Sequence, residues 1–586
     1  MRYWLPSLLL LGVGLTLHAQ GSMLPLGNPA YHTIDRLTIK TGLPAGLHTG
    51  LKYYSRRAVT RYAMQLDTAD IELTALDRAD LTYIFRDNNE WLGKAVDQLP
   101  LAVRRCDPDL PTQIEAARAD ERYVKSQRRW LPWLYPTPAN LFEINEPYFH
   151  LRVNPVLHLA YGSQANSDDP SFYNQRGLQL RGGIDDRLYL HLELLETQAA
   201  LPNYVNRYIG QHLALPGNGL YKEYKSDVFN IARGYDFLNS QGYLGFNITP
   251  HIGMQLGYGR HFIGNGLRSL LLSDFSNNYF YLKFNWQVWK LHYQNIFAEL
   301  AVVSDRAVPG DVILPKKYMA AHHLSIDLTP NLNVGIFETV IFSRPDHFEL
   351  QYLNPIILYR TVEQAIGSPD NVLLGVDGHW NLFHRFQLYG QLMLDEFVFR
   401  EMFVEPNGWW GNKWGLQAGI KYMDALGVDH LDLQAEFNTV RPYTYSHRDS
   451  ITSYSHYSMP LAHPLESNFR EVILRARYQP LTRLAFDGSL FLMSVGENPD
   501  GMNVGAAVLR PHTTRAMNYG NELLQGVRGD IWLVNAALSY ELRHNFFLEG
   551  RVIMREKQSD EAARDLSTTI FSLGVRWNAA PLGWGF

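Results

Sequence analysis

The chain has 586 residues, with 53 Lys and Arg against 58 Asp and Glu, a formal charge of −5; that balance excludes a nucleic-acid binder and a polybasic membrane anchor. Charged residues make up 19% and aromatics 13%, with a mean hydropathy of −0.22. This mixture excludes a disordered chain and a helical membrane protein, and it fits apolar residues that alternate with polar ones. The lone Cys106 leaves no disulfide within the chain and no multi-cysteine metal site.

Residues 1–20 read as a secretory signal peptide, with Arg2 as the basic start, an apolar run over 4–17, and small residues Ala19 and Gly21 at the cleavage region. Its apolar run is short for a span of about 20 residues. No Cys follows, which argues against a lipid anchor. Residues 21–147 read as a small, mostly helical periplasmic domain with a Pro-rich linker. Ser55 is expected to cap a helix running to about Gln65, and Thr68 a second containing Leu73, Leu76, Leu81 and Ile84. A third helical stretch covers 112–127, and Pro132, Pro136, Pro138 and Pro147 then interrupt regular structure.

From about Phe149 the apolar period becomes two. Leu188, Leu190, Leu192 and Leu194 alternate with Tyr189, His191 and Glu193; Phe280, Leu282, Phe284 and Trp286 alternate with Tyr281, Lys283 and Asn285. The same holds around Phe386–Leu394, Leu431–Asn438 and Val534–Leu542. Each run is about ten residues long, the length and dyad pattern of outer-membrane strands. Short turns, near 185, 250, 287, 330, 382, 427, 480 and 544, alternate with long segments. Eight short-turn hairpins plus an opening strand (about 149–161) and a closing one (about 567–577) give about eighteen antiparallel strands. The prediction is an all-β transmembrane barrel over 148–586. A soluble sandwich or propeller does not explain the one-sided loop lengths. Polar faces are expected to line the lumen, with Asp432 and Glu436 pairing with Arg475 and Arg477 across the wall.

No Walker loop, H-E-x-x-H or G-x-S-x-G occurs. Asp395-Glu396 and His322-His323 are adjacent on strands and so face opposite sides. The sequence therefore predicts no enzyme, no cofactor and no metal. The outer loops carry a different signal. Trp409 and Trp410, then Tyr443, Tyr445, His447, Tyr454, His456 and Tyr457, predict an exposed aromatic surface, suited to stacking on the apolar faces of sugars. Arg260, Asn265, Arg268, Asp274 and Arg344 supply polar loop groups for hydroxyls. An aromatic girdle at the membrane interface explains some of the same rings.

Several stretches lie in order along about 170–470: 259–266 (Gly-Arg-His-Phe-Ile-Gly-Asn-Gly) with Leu270 to Asp274, then 388–391 with Asp395-Glu396, 415–421, 441–447, and Tyr454 to Tyr457 leading to His463-Pro464. Together they make the chain resemble the capsule-assembly Wzi-like family of outer-membrane proteins. The resemblance implies an eighteen-stranded barrel with a periplasmic helical part, acting as a lectin that attaches capsular polysaccharide to the surface of a Gram-negative cell. The N-terminal stretches 31–37 and 55–57 look instead like a branch similar to RemB-type proteins, linked to gliding motility and surface adhesion. The expectation is thus a barrel that binds surface polysaccharide non-covalently. The alternatives are a component of gliding or surface-protein export machinery, with a periplasmic partner on the helical domain, and a diffusion porin. Nothing in the sequence suggests more than a monomer.

Overall fold

The computed structural model describes residues 21–92, 135 and 137–586, apart from 147, 168, 186, 305–306, 308–309, 345–346, 357, 368 and 397. The signal-peptide reading, Cys106, the stretch 112–127 and the prolines at 132, 136 and 147 lie outside the described residues.

Eighteen antiparallel strands close into a barrel. The first, Phe149–Gln164, pairs with the second, Ser171–Ile184; the last, Leu566–Trp577, returns to the first, with Trp577 opposite Leu157 and Ile570 opposite Gln164. Closure pairs both edges, which an open sheet leaves bare. Strand count and end strands are those expected from the dyad pattern. Exposure is inverted relative to a water-soluble sheet. Outward-facing Leu178, Leu192, Leu194, Leu256 and Phe280 are exposed, while Gln179, Glu193, Gln255 and Lys283 are buried, as a hydrocarbon surround demands.

Among its described residues the helical region has three α-helices: α1, Ala30–Thr41; α2, Arg56–Thr68; and α3, Ala75–Asp87. In α1, Ala30, Ile34 and Leu37 recur at helical spacing on one buried face and pack with Val59, Tyr62, Ala63, Leu81, Ile84 and Phe85. Gly42, at φ 71°, ends it in a left-handed turn whose N–H bonds to the Thr38 carbonyl. The cap of α3 is Thr74, not Thr68: its hydroxyl accepts from the Asp77 N–H while the Asp77 carboxylate accepts from the Thr74 N–H. Thr68 is the last residue of α2.

This bundle seats in the tight-turn end of the barrel. Arg36, 1% exposed, is the clamp: Nη1 reaches Asp432 at 2.8 Å, and Nη2 reaches Asp424, Asp77 and Asp429 at 2.6, 3.3 and 3.3 Å. Lys421 Nζ donates to Asp35 (2.8 Å), Arg181 Nε to Glu90 (3.0 Å), and the Tyr83 hydroxyl to Asn545 (2.6 Å). Asp424, Asp429 and His430 lie close enough to hold a metal ion, but Arg36 and Lys40, the latter 3.1 Å from Asp424, already supply the positive charge.

The docked carboxylates give the seat a pH dependence. Burial alone raises Glu90, but the Arg181, Arg152 and Arg56 guanidiniums outweigh it and hold it at about 2, against an ordinary 4.5. Asp87 is held well below its ordinary 3.8, where Arg56 outweighs burial. A depressed carboxylate contributes stability that is fully present above its unfolded value and is lost as pH falls through the folded one. For Glu90 the window runs from about pH 4.5 to 2 and is worth on the order of 3 kcal/mol. Thermal melts followed by helical ellipticity should therefore show these helices melting progressively earlier from pH 5 to 2.5, with little change from pH 6 to 8.

Among the described residues the lumen is filled by packed segments, apart from a chamber beside the first four strands. The long connection 260–278 folds inward, and its Leu270, Leu271 and Leu272 pack, fully buried, against Met319, Phe337, Leu373, Met393, Val440 and Phe469 of the wall. The inward face is therefore apolar at this level, where a wholly polar lining was expected: the lumen holds protein, so the wall becomes a core. Residues Leu51–Lys52 and Phe262–Ile263 pair as a two-stranded sheet inside the barrel, joining the N-terminal segment to this loop. Beyond Trp577 the chain turns back into the lumen, where Phe586 packs edge-on with Tyr204, Tyr208 and Phe275.

The expected charge ladder is also corrected. Asp432 stands opposite Arg477 in register, yet its carboxylate turns to Arg36 and His32. Glu436 accepts from the Leu267 and Arg268 N–H groups and the Tyr389 hydroxyl. Arg475 and Arg477 pair with Asp487 instead. Each carboxylate binds the segment that fills the space in front of it.

Candidate functional site

The long-loop end is covered by a cap built from the connections 397–412, 441–468 and 498–526. Trp409 and Trp410 follow Gly408, whose φ of 72° makes the turn. Both rings are half-buried, with centroids 5.6 Å apart. The Trp410 ring packs on His512 at 4.6 Å and lies under the Arg515 guanidinium at 4.4 Å, while the Trp410 backbone N–H donates to the Asn518 carbonyl at 3.0 Å. The buried Lys413 ammonium, 5.4 Å from the Trp410 ring, donates to the Ser446 carbonyl and to His512 Nδ1, at 2.9 and 3.1 Å. An ammonium only donates, so His512 carries its proton on Nε2. Burial, then Lys413, then His447 push His512 down to about 3; burial and Lys413 push His447 down to about 4. Both imidazoles are neutral donors and acceptors at ordinary pH.

Four of the twelve sequence-predicted residues group around the Trp410 and His512 rings: Trp409, Trp410, Tyr443 and His447. Tyr443 lies 6.5 Å from Trp410 and His447 lies 5.8 Å from His512. The Trp pair is the half-exposed part. Tyr443, Tyr445, His447 and His456 are buried, which corrects the expectation of a continuous exposed aromatic surface. Tyr445, with Tyr454 beside it, ties the cap to the inward connection 260–278. Tyr445 and Tyr454 stack at 5.7 Å and donate their hydroxyls to the carbonyls of Leu270 and Leu271, at 2.7 and 2.6 Å. Tyr443, Tyr445 and Tyr457 have φ of 65°, 69° and 57°, a left-handed backbone that costs about 1 kcal/mol each. For Tyr443 and Tyr445 the anchored hydroxyls offset that cost; Tyr443 donates to the Asn503 carbonyl at 2.9 Å. His456 Nδ1 accepts from the Ala301 N–H and its Nε2 donates to the Asn278 carbonyl. The Tyr457 N–H donates to the Ala301 carbonyl.

The polar predictions lie elsewhere. Asn265 is buried and accepts from the Thr49 hydroxyl at 3.2 Å. The flanking Gly266 leaves no room for a side chain, since a Cβ there would fall 2.4 Å from a Glu436 oxygen. Arg268 forks onto Glu471 at 2.9 and 3.3 Å inside the barrel. Arg260 Nη1 donates to the Gly217 and Asp274 carbonyls, both at 3.0 Å, facing the lumen. Arg344 makes a bidentate pair with Asp370, both bonds 2.8 Å, within its own loop. His322 and His323 pair with Glu338 and Asp377. Sequence reading missed Lys413, His512 and Arg515. They sit in a strand end and a distant loop with no local pattern to mark them.

The fold is that of Gram-negative outer-membrane barrels. The structure is similar to that of Wzi, described as an outer-membrane protein involved in group 1 capsule assembly in Escherichia coli and a carbohydrate-binding β-barrel. The two are 11% identical over 96% of this chain and 100% of that one, with a TM-score of 0.55. At that identity the likeness shows a shared fold. OprD from Pseudomonas aeruginosa (8% identity, 73% of this chain, 92% of that one) and OccAB4 from Acinetobacter baumannii (10%, 74% and 98%) both align at a TM-score of 0.39. No family model matches the chain, and no curated protein does.

Proposed function

We propose that this protein is an outer-membrane barrel that binds surface polysaccharide non-covalently and holds it at the cell surface, with no bond made or broken. The observation that carries this reading is the half-exposed Trp409–Trp410 pair on a rigid cap over a filled lumen. Indole faces stack on the apolar faces of pyranose rings, and neighbouring Arg515 and neutral His512 offer hydroxyls hydrogen bonds at ordinary pH. A filled lumen supports binding over diffusion. The carbohydrate binding described for Wzi, a protein of the same fold, supports it further. In this reading the tight turns and helices face the periplasm and the cap faces outward.

Replacing Trp409 and Trp410 together by Ala should weaken binding of the producing strain's own exopolysaccharide by ten- to a hundredfold, about 1–3 kcal/mol for lost aromatic stacking. Binding that survives the double change would take those rings out of the site. In cells lacking the protein, polysaccharide should move from the cell-bound fraction into the medium at constant total. An unchanged partition would set the reading aside in favour of a motility or export role.

A further inference from the structure

Inside the barrel, away from the Trp pair, a chamber of about 250 Å³ lies between the wall of the first four strands and the packed segments. One side is a row of hydrogen-bonding side chains at a single level. Asn154 stands opposite Gln179, Gln179 opposite Glu193, and Glu193 opposite Gln241. The next inward position above Gln179 is Gly177, which adds no side chain, and Gln175 follows beyond it. The other side is formed by the N-terminal segment around Pro25 to Pro29 and by residues 578–584, with Trp584 in the lining. Arg260 closes the side nearer the cap; its Nη1 is held by two carbonyls, while its Nε is without a partner among the described residues.

The lining decides the ligand. Gln179 is 6% exposed and makes no hydrogen bond among the described residues, so a buried primary amide, two donors and an acceptor, faces the chamber unanswered. The amide opens onto the space of the chamber, and a polyhydroxylated molecule there answers both of its functions. The charges nearly cancel: Glu193 and Arg260 bring opposite signs, Arg56 is paired with Asp87, and Arg576 with Glu549. That disfavours a charged ligand. Tyr173, Phe237 and Trp584 supply ring surface for C–H faces. The volume is below the roughly 300–1,000 Å³ of pockets for larger ligands, which suits one ring.

We infer that this chamber is a lumenal sugar site that takes a single neutral pyranose residue, held through Gln179, Glu193 and Gln241. The choice of a sugar rests on the polysaccharide-binding reading; the location is independent of the Trp pair. The test uses the full chain in lauryldimethylamine oxide, a detergent without a sugar headgroup. Binding of the methyl pyranosides of glucose, galactose and mannose is measured by saturation-transfer NMR. At least one should bind. Gln179→Leu and Gln241→Leu should each weaken it about tenfold or more, and Gln175→Trp should abolish it by filling the space; the series is repeated in the Trp409→Ala/Trp410→Ala variant, so that sugar held at the cap does not contribute. An unaltered melting profile for each variant keeps loss of binding separate from loss of fold. Absence of binding by all three glycosides overturns the site. Binding that survives all of the chamber substitutions overturns it too. Binding lost only in the Trp variant overturns the chamber while leaving the surface reading intact.

Discussion

Deleting residues 21–92 and replacing 260–278 by a tight turn should convert a silent barrel into a conducting one. A wall of eighteen strands encloses space enough for a water-filled channel, as porins of about 16 to 18 strands show. Here that space is taken by the docked helices, by the segment reaching Leu51–Lys52, and by the inward loop paired with it. Either change alone should do less. Without the helices, the loop is still held by the Glu436 carboxylate on the 267 and 268 N–H groups, by Gln391 on the 270 N–H, and by the hydroxyls of Tyr445 and Tyr454. In planar bilayers the intact protein should show no steady current, each single change small or intermittent steps, and the double change a steady porin-like conductance. A large current from the intact protein would contradict the sealed lumen and revive the diffusion reading.

Arg36→Met should unseat the helical domain with the barrel intact. One buried guanidinium faces Asp77, Asp424, Asp429 and Asp432. Its removal leaves carboxylates from both the domain and the wall facing one another without their cation. Removing one partner of a buried ion pair costs about 3–5 kcal/mol, here roughly a hundred- to a few-thousandfold in docking equilibrium. Limited proteolysis should cut 21–92 rapidly in the variant and slowly in the wild type, with the barrel protected in both. Arg36→Lys should recover part of the effect, because one ammonium replaces the charge but not the fork that spans Asp432 and Asp424. Equal protection in Arg36→Met would show that the other contacts suffice.

The barrel was legible in the sequence because lipid acts on every strand in the same way. Leu192 and Leu194 outside, with Glu193 between them, is a local pattern that no tertiary contact can mask. Strand ends were legible for the same reason, since Asp185 and Asn545 mark turns by composition. The lumen was not. Leu270 to Leu272 read as a loop segment, and only the facing Met393 and Val440, far away in the chain, make it a core. The strands carrying Asp432 and Arg477 were expected to be neighbours and are, yet Asp432 takes its stronger partner, Arg36, from almost four hundred residues away. Aromatic residues near 443–457 were recognisable as a cluster. Whether such a ring faces solvent or anchors a plug depends on where its hydroxyl ends, and Tyr445 ends on Leu270. Helix α1 went unpredicted because its Arg36 and Thr38 are buried polar residues that blur an otherwise regular apolar stripe.

The filled lumen also has a mechanical meaning. From the cap, Tyr445 grips Leu270; the same loop is gripped lower down by Glu436, which also takes the Tyr389 hydroxyl; and the loop's Gly264 N–H bonds to the Gly50 carbonyl of the segment leading to α2. Under the proposed function, a drag force on a polymer held at the cap would be borne along the axis of a packed post, footed by Arg36 among the turns at the far end. A hollow tube would pass such a tug to its loops alone. This one spreads it over the whole height of the membrane.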